Sequence, residues 1–528
     1  MKFLLLILAF GPSVQASHLI DIIPPLIKAA HATYPDQRQS HDFPRMEGVS
    51  MLPVIRDGHR KLSPDFSGGV LRWLPVFAKS LSGVNSNFSP PNIVHIIADD
   101  LGWGDAGFHG SEISTPHLDR LAGESVVLDR FYVTPICSPT RAGVLTGRYP
   151  WRFGIWGGVC SPTSRHGLPP SETTVPEMLA GAGYRKRALL GKWHLGLASD
   201  IFHPLNHGFT DFYGHYNGAI DYFSRERFGQ PDWHRDREAV HEDGYSTDLL
   251  GEAASRFIHE TEGPFYLLVA FNAPHSPLQA KPDDLASVGF DPSGPRAPNT
   301  DAGIAAREND PDYGEAGKGN DQRQTFAAMT RAMDRNIGRI LEALDTTGHS
   351  ENTLVVFHSD NGADPRHGGS NKPLRGTKFT TWEGGTRVVA MMRWPARFKG
   401  GRIFTAPASY IDLLPTFAAA ANAGIPDGVD GVNLLPMIAG DDSHSDRVLL
   451  LGKKTALSGR WKLNGDELFD LEADPGETTD ISAQHPEHVI RLRGELAKFP
   501  AMQGRRFTTK LPKPTQWPPV NWQLPTEP

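Results

Sequence analysis

Three apolar runs in this chain end in side chains that can do chemistry. Asn92 to Ala98 ends in Asp99-Asp100, and Thr353 to Phe357 leads through His358-Ser359 into Asp360-Asn361. Phe265 to Phe271 leads through Asn272-Ala273-Pro274 into His275. A single Asp after a strand is ordinarily a helix cap or a turn former. Asp-Asp after one strand and Asp-Asn after another are harder to dismiss. Carboxylate and amide oxygens are what hard divalent cations take, so Asp99, Asp100, Asp360 and Asn361 suit Ca²⁺, with Mg²⁺ as the lesser alternative.

A second group of motifs favours anions. In Cys137-Ser138-Pro139-Thr140-Arg141, Pro139 suits the first helical position and Ser138 the cap before it. Cys137 then lies at a helix N-terminus, where free N–H groups and the dipole attract negative charge. Arg141, four residues on, falls on the same face. A single Cys is ordinarily a small buried hydrophobe, but an Arg below it and a helix start beside it make an anion site the stronger reading. In Gly191-Lys192-Trp193-His194-Leu195-Gly196, two-residue alternation puts Lys192 and His194 on one face. An amphipathic edge strand would show the same alternation. Arg375-Gly376-Thr377-Lys378 leads to Trp382-Glu383-Gly384-Gly385, a glycine-rich loop whose Lys378 either reaches an anion or forms a solvated turn.

These motifs need a scaffold, and the chain is long enough to build one. Its 528 residues are 39% apolar, and 53 Lys and Arg stand against 60 Asp and Glu. The resulting net charge of −7 excludes the basic field of a general nucleic-acid binder. With two cysteines, Cys137 and Cys160, no disulfide framework beyond one bridge is possible, and a cysteine-rich zinc site is excluded. Residues 91–445 read as one α/β domain, because Ile93 to Ala98, Phe265 to Phe271 and Leu354 to Phe357 are short and apolar like buried parallel strands. From Gln322 to Leu344, Phe326, Met329, Met333, Ile337, Leu341 and Leu344 recur at helical spacing and predict a core-facing helix. Residues 446–500 read as a smaller end unit and 501–528 as a Pro-rich tail.

The N-terminus begins Met1-Lys2, continues with apolar Phe3 to Phe10, and reaches Val14-Gln15-Ala16. A basic start, short apolar core and small-residue cleavage site predict a signal peptide over residues 1–16. The apolar run is too short to span a bilayer, so an exported protein is expected: periplasmic or secreted, lysosomal if eukaryotic. Residues 17–90 hold a displaced repeat. Ile20-Asp21-Ile22-Ile23-Pro24 resembles Ile411-Asp412-Leu413-Leu414-Pro415, and Glu47-Gly48-Val49-Ser50-Met51-Leu52-Pro53 resembles Asp430-Gly431-Val432-Asn433-Leu434-Leu435-Pro436. Internal repeats are sought before fold reasoning, and this one predicts an accessory extension.

The run Cys137 to Arg141 with its Leu145-Thr146-Gly147-Arg148 extension resembles the signature of the type I sulfatases, in the alkaline-phosphatase-like superfamily. Gly191 to Gly196 resembles their second signature. The likeness runs from Asn92 to about Glu487, and Gly102 to Gly110, Asp221-Tyr222, His275 to Leu278 and Pro373 to Gly385 look closest to arylsulfatase B-like members. Residues 17–90 resemble a late fragment of a second such domain. The resemblance implies an α/β fold with a large mixed, mostly parallel sheet flanked by helices, and a smaller C-terminal antiparallel sheet. It implies that a formylglycine-generating enzyme oxidises Cys137 to formylglycine (3-oxoalanine). The hydrated aldehyde would attack sulfur with one hydroxyl and expel sulfate with the other. It also implies Ca²⁺ held by Asp99, Asp100, Asp360 and Asn361, with residue 137 nearby.

The remaining roles follow from that resemblance and from charge. Arg141 would steady the diol, Lys192 and Lys378 would hold sulfate oxygens, His194 would take the diol proton, and His275 would serve the leaving oxygen. Asp221, Asn371 and Arg375 flank these motifs and are candidates for reading a sulfated saccharide or aryl sulfate; a solvated loop is the other reading. A phosphomonoester or phosphonate hydrolase on the same scaffold, and an unconverted protein that binds sulfated glycans, are the rival functions. Residues 17–90 contain neither the Cys-x-Pro-x-Arg run nor paired strand-end carboxylates, and they precede a complete first strand at Asn92. A chain beginning near Ser89, exported with a substitute signal, is therefore expected to keep its metal site and most of its sulfatase activity. Insoluble protein from that truncation would refute the accessory reading.

Overall fold

The computed structural model describes residues 89–161, 164–227, 230–297, 317–440 and 446–504. The segment expected to be a signal peptide, the N-terminal repeat and most of the Pro-rich tail lie outside the described residues. Five strands run parallel: β1 (Asn92–Ala98), β2 (Lys186–Lys192), β3 (Asp211–His215), β4 (Phe265–Ala270) and β5 (Thr353–Ser359). Their order is β5-β1-β4-β2-β3. Antiparallel Ala390–Arg393 extends the sheet beyond β5, and His234–Arg235 extends it beyond β3, within ten strands in all. The three apolar runs read from sequence are the three central strands, β5, β1 and β4.

Every residue of these central strands is buried, as expected for a sheet covered on both faces. Ile93 and Ile97 of β1 pack on one face with Leu354, Val356 and the helix α1 (Cys137–Thr146). Val94 and Ile96 pack on the other with α2 (Ser246–Glu260) and α3 (Gln322–Thr346). The six apolar positions that predicted α3 are all buried, and Asp321 caps the helix by accepting the Gln324 N–H. Within the first layer, His95 on β1 and His358 on β5 meet at 2.9 Å between their Nε2 atoms. Burial lowers both pKa values, His358 to about 4, so the pair is neutral and one ring donates to the other.

Unlike α2 and α3, α1 is buried on all sides. Gly143 makes this possible: a Cβ there would come within 2.0 Å of the Tyr410 ring. The helix stops at Gly147, whose φ of 65° suits a residue without a side chain.

The C-terminal part contains four consecutive antiparallel strands: β6 (Val448–Gly452), β7 (Thr455–Ser458), β8 (Trp461–Asn464) and β9 (Glu467–Asp470). Lys462 on β8 ties this sheet to the rest of the fold. Its fully buried ammonium lies 2.9 Å from both Glu383 Oε1 and Glu477 Oε1. Removing one member of such a group strands the others as buried charges, at a cost of about 3–5 kcal/mol. Lys462→Ala is expected to lose stability on that scale, read as a lower urea midpoint; a loss below about 1 kcal/mol would show that the two glutamates are otherwise compensated.

Candidate functional site

Because β5, β1, β4 and β2 are adjacent and parallel, their carboxyl ends open onto one place. β1 delivers Asp99 and Asp100, β5 delivers Asp360 and Asn361, β2 ends in Lys192, and β4 leads to His275. Asp100 adopts a left-handed backbone, φ 64°, at the point where the chain turns out of the sheet. α1 brings Cys137 at its first turn and Arg141 one turn below. Lys378 arrives on a loop pinned by its own N–H to the Ala363 carbonyl, 3.1 Å away.

The buried charges meet in pairs. Arg141 donates to Asp360 Oδ2 from Nε (3.0 Å) and Nη2 (2.8 Å), and lies 3.6 Å from Asp99. Lys192 pairs with Asp99, and Lys378 Nζ lies 2.6 Å from Asp100 Oδ1. Burial disfavours the Lys378 ammonium, but Asp100, Cys137 and Asp99 together outweigh it and raise the lysine's pKa. Burial likewise opposes the charge on Asp100, yet Lys378, His275 and the Asn361 amide hold it well below the usual carboxylate range. Asp99 is pushed up to about 7, first by burial and then by Asp360, against the pull of Lys192 and Arg141.

Cys137 is buried, and that burial pushes its thiol up to about 11 despite Lys192 and Lys378. The encoded side chain is therefore a neutral thiol, not a reactive thiolate. Cys160 is buried too, its thiol raised to about 12 by burial. Ser138 does not cap the helix, as the sequence suggested. α1 begins at Cys137 itself with Ile136 at the cap, and Ser138 Oγ donates to the His194 carbonyl (2.8 Å) while accepting the Cys160 N–H (3.1 Å). Cys137 is held at the helix N-terminus all the same.

His194 is not in register with Lys192. β2 ends at Lys192 and His194 turns through φ 56°, with its N–H on the Tyr216 carbonyl. Its ring lies over Gly218, where a Cβ would come within 2.4 Å of the imidazole. Burial first, then Lys192 and Arg141, keep this ring neutral, and its Nδ1 has no hydrogen-bond partner among the described residues. His275 is also neutral through burial and Lys378. Its Nδ1 faces the Ser276 carbonyl and must carry the proton, so Nε2, 3.7 Å from Asp100, presents a lone pair. The loop bearing His275 is held by Tyr222, whose hydroxyl lies 2.7 Å from the Asn272 carbonyl and 2.8 Å from that of His275. Gly218 has no sequence signal for this work, and Tyr222 has only its place in the Asp221-Tyr222 stretch.

The arrangement fits a hard cation. Ligand atoms of Asp99, Asp100, Cys137 and His275 lie within 4.8 Å of one another. Among the described residues Asp99 Oδ1 and Asn361 Oδ1 are buried without any donor, a rare condition for polar atoms. Asn361 Nδ2 meanwhile lies 2.6 Å from Asp100 Oδ1, and the Asp100 N–H donates to Asp360 Oδ1 at 3.3 Å. Of the residues expected from sequence, Asp99, Asp100 and Cys137 gather here with His275, while Asp360 and Asn361 lie hydrogen-bonded to Asp100.

The three residues expected to read substrate each have partners within the fold. Asp221 accepts the N–H groups of Phe223 (2.8 Å) and Ser224 (2.7 Å) and the Gln279 amide (2.6 Å), so it closes a turn. Asn371 is buried and bridges Ala363 N and O, at 2.8 and 2.9 Å. Arg375 stacks 3.7 Å above the Trp382 ring and donates to the Glu477 carbonyl at 2.6 Å. Each side chain is engaged in holding a loop.

The chain matches the Sulfatase family over residues 91–423. It is 29% identical over 485 residues to mouse (Mus musculus) arylsulfatase J, covering 78% of this chain and 76% of that one. It is 34% identical over 404 residues to the N-acetylgalactosamine-6-sulfatase of Canis lupus familiaris, covering 70% of each. The solved structure of Ps i-CgsB in complex with k-i-k-neocarrahexaose is 32% identical with a TM-score of 0.69, covering 80% of this chain and 96% of that one. The matched span includes both signatures and all the strand-end carboxylates, and by this evidence the chain belongs to the sulfatase family.

Proposed function

We propose that this sulfatase releases sulfate from a sulfated saccharide or aryl sulfate by way of formylglycine made from Cys137, beside a bound Ca²⁺. The observation that carries this reading is the neutral, buried thiol at the α1 N-terminus, near Arg141, Lys192 and Lys378. A thiol of that pKa is a poor nucleophile at neutral pH. The modification supplies a geminal diol at residue 137, with one hydroxyl to attack sulfur and one to expel sulfate. Because Cys137 is buried in the folded protein, the maturation enzyme would meet it before folding is complete.

Asp99, Asp100, Asp360 and Asn361 would hold Ca²⁺, which when bound polarises sulfate oxygens. Lys192 and Lys378 present ammonium groups to those oxygens. Arg141, fixed by Asp360, holds residue 137 in orientation. Neutral His194, with a free Nδ1, is in the protonation state a base needs. His275 offers Nε2 towards the same space; serving the leaving oxygen as an acid requires that it first gain a proton there. The names of the relatives, N-acetylgalactosamine-6-sulfatase among them, support a sugar substrate. Export rests on the signal-like start; among the described residues no helix is long and apolar enough to cross a membrane.

Two outcomes follow. Cys137→Ser is expected to abolish multiple turnover, since an alcohol lacks the second hydroxyl; in the wild type, mass spectrometry of the peptide containing residue 137 shows loss of sulfur. Full turnover by Cys137→Ser would overturn the formylglycine reading. Chelation is expected to stop sulfate release and lower the Tm, with Ca²⁺ restoring both at lower concentration than Mg²⁺ because the donor set is oxygen-rich and Mg²⁺ demands a near-ideal octahedron.

A further inference from the structure

Phe379 follows Lys378 directly, yet their environments are opposite. Lys378 is buried and Phe379 is 57% exposed. Among the described residues only four large hydrophobic side chains are exposed, and the other three, Ile403, Ile425 and Ile490, are aliphatic. The backbone of Phe379 is strained as well. Its φ of 72° lies in the left-handed region, where a bulky residue is a genuine outlier. The Phe379 N–H donates to the Pro135 carbonyl at 2.9 Å, two residues before Cys137, which fixes this backbone beside the helix that carries Cys137. Lys378 Nζ lies 5.4 Å from the ring centroid and 2.6 Å from Asp100 Oδ1. The exposed ring therefore borders the pocket where the charges meet.

Neither feature is repaid by packing. An exposed phenyl gains little from burial in the free protein, and a glycine would occupy φ 72° without steric cost. Strain of this kind persists where the surrounding structure enforces it, and it concentrates at ligand clamps. We infer that Phe379 is the stacking platform for the six-membered ring that carries the sulfate ester, a pyranose or an arene. The inference rests on the sulfatase reading of the site. With its sulfate held by Lys378, the substrate's ring falls across the neighbouring phenyl. Pyranose C–H groups or an offset arene then meet the negative face of the phenyl, the geometry that aromatic rings favour. The same ring lies within reach of the Lys378 ammonium, so platform and anion site are one continuous surface.

Steady-state kinetics of Phe379→Ala, Phe379→Gly and Phe379→Tyr on a sulfated disaccharide and on p-nitrophenyl sulfate test this. Losing the ring is expected to raise KM about tenfold in the Ala and Gly variants, with kcat within about twofold. Tyr is expected to restore the wild-type KM. Inhibition by inorganic sulfate reads the anion site alone and is expected to stay unchanged. Phe379→Gly is further expected to raise the Tm while weakening substrate binding, because it relieves the left-handed strain. Unchanged KM in the Ala and Gly variants would overturn the platform. So would weakened sulfate inhibition in step with KM, since the loop holding Lys378 would then have moved. If the wild type releases no sulfate from either substrate, the sulfatase reading fails instead. Calorimetry of the disaccharide on wild type and Phe379→Ala then decides the platform, with equal affinities overturning it.

Discussion

Asp99, Asp100 and Asp360 are buried together at the ends of two neighbouring strands, and their mutual repulsion is the constraint that shapes this molecule. Desolvating one carboxylate without compensation costs several kcal/mol. Arg141, Lys192 and Lys378 supply the compensation from three different elements: a helix, a strand and a loop. Each cation is itself buried and acceptable only because of the carboxylates. The group is therefore mutually dependent, and the elements that carry it cannot drift apart without exposing or orphaning a charge. Asp99, at about 7, is the member least compensated by protein alone. Its orphaned Oδ1 beside that of Asn361 is where a further positive charge has most to gain.

The loops around the site are locked by a second ring of polar contacts. Asp105 accepts the N–H groups of Gly102 (2.9 Å) and Ser370 (2.9 Å), and Arg323 from α3 pairs with it. One buried carboxylate thereby joins the chain leaving β1 to the chain leaving β5. The Lys378 loop is fixed from the other side. The Gly384 N–H closes on the Arg375 carbonyl at 2.7 Å, and the Glu383 N–H donates to Glu477 at 2.6 Å. Lys462 lies between the two glutamates, and Arg387 adds a second positive charge 3.6 Å from Glu383. The small C-terminal sheet thus acts on the site through a loop rather than by lining it, which gives its Lys462 a reason to be buried.

Close backbone approach sets the remaining geometry. Gly362, immediately after Asn361, packs where a Cβ would stand 1.8 Å from the Gly384 carbonyl. At Asp100, His194 and Phe379 non-glycine residues hold left-handed conformations, and all three lie in or beside the same pocket. Backbone strain is tolerated when the surroundings over-determine it, and here hydrogen bonds to Asp360, Tyr216 and Pro135 do so.

Much of this was legible in the sequence, for definite physical reasons. A strand buried on both faces must be a continuous apolar run, so β1, β4 and β5 announced themselves, and the polar residues that ended them had to lie at the sheet's edge. Period fixed the core face of α3, and residue type alone restricted the donors around Asp99 to those of a hard cation. Sequence could not say which polar side chains near the motifs would be consumed by the fold. Asp221, Asn371 and Arg375 carry hydrogen-bonding groups suited to a sugar, but the turns and loops they sit in claim those groups first. Nor could spacing show that Ser138 would bridge Cys160 to His194, or that Lys462 would neutralise Glu383 across 79 residues of chain. Such pairings depend on which distant backbones are brought together. Only the packed tertiary structure decides that, because a buried charge takes whichever partner the fold sets within hydrogen-bonding distance.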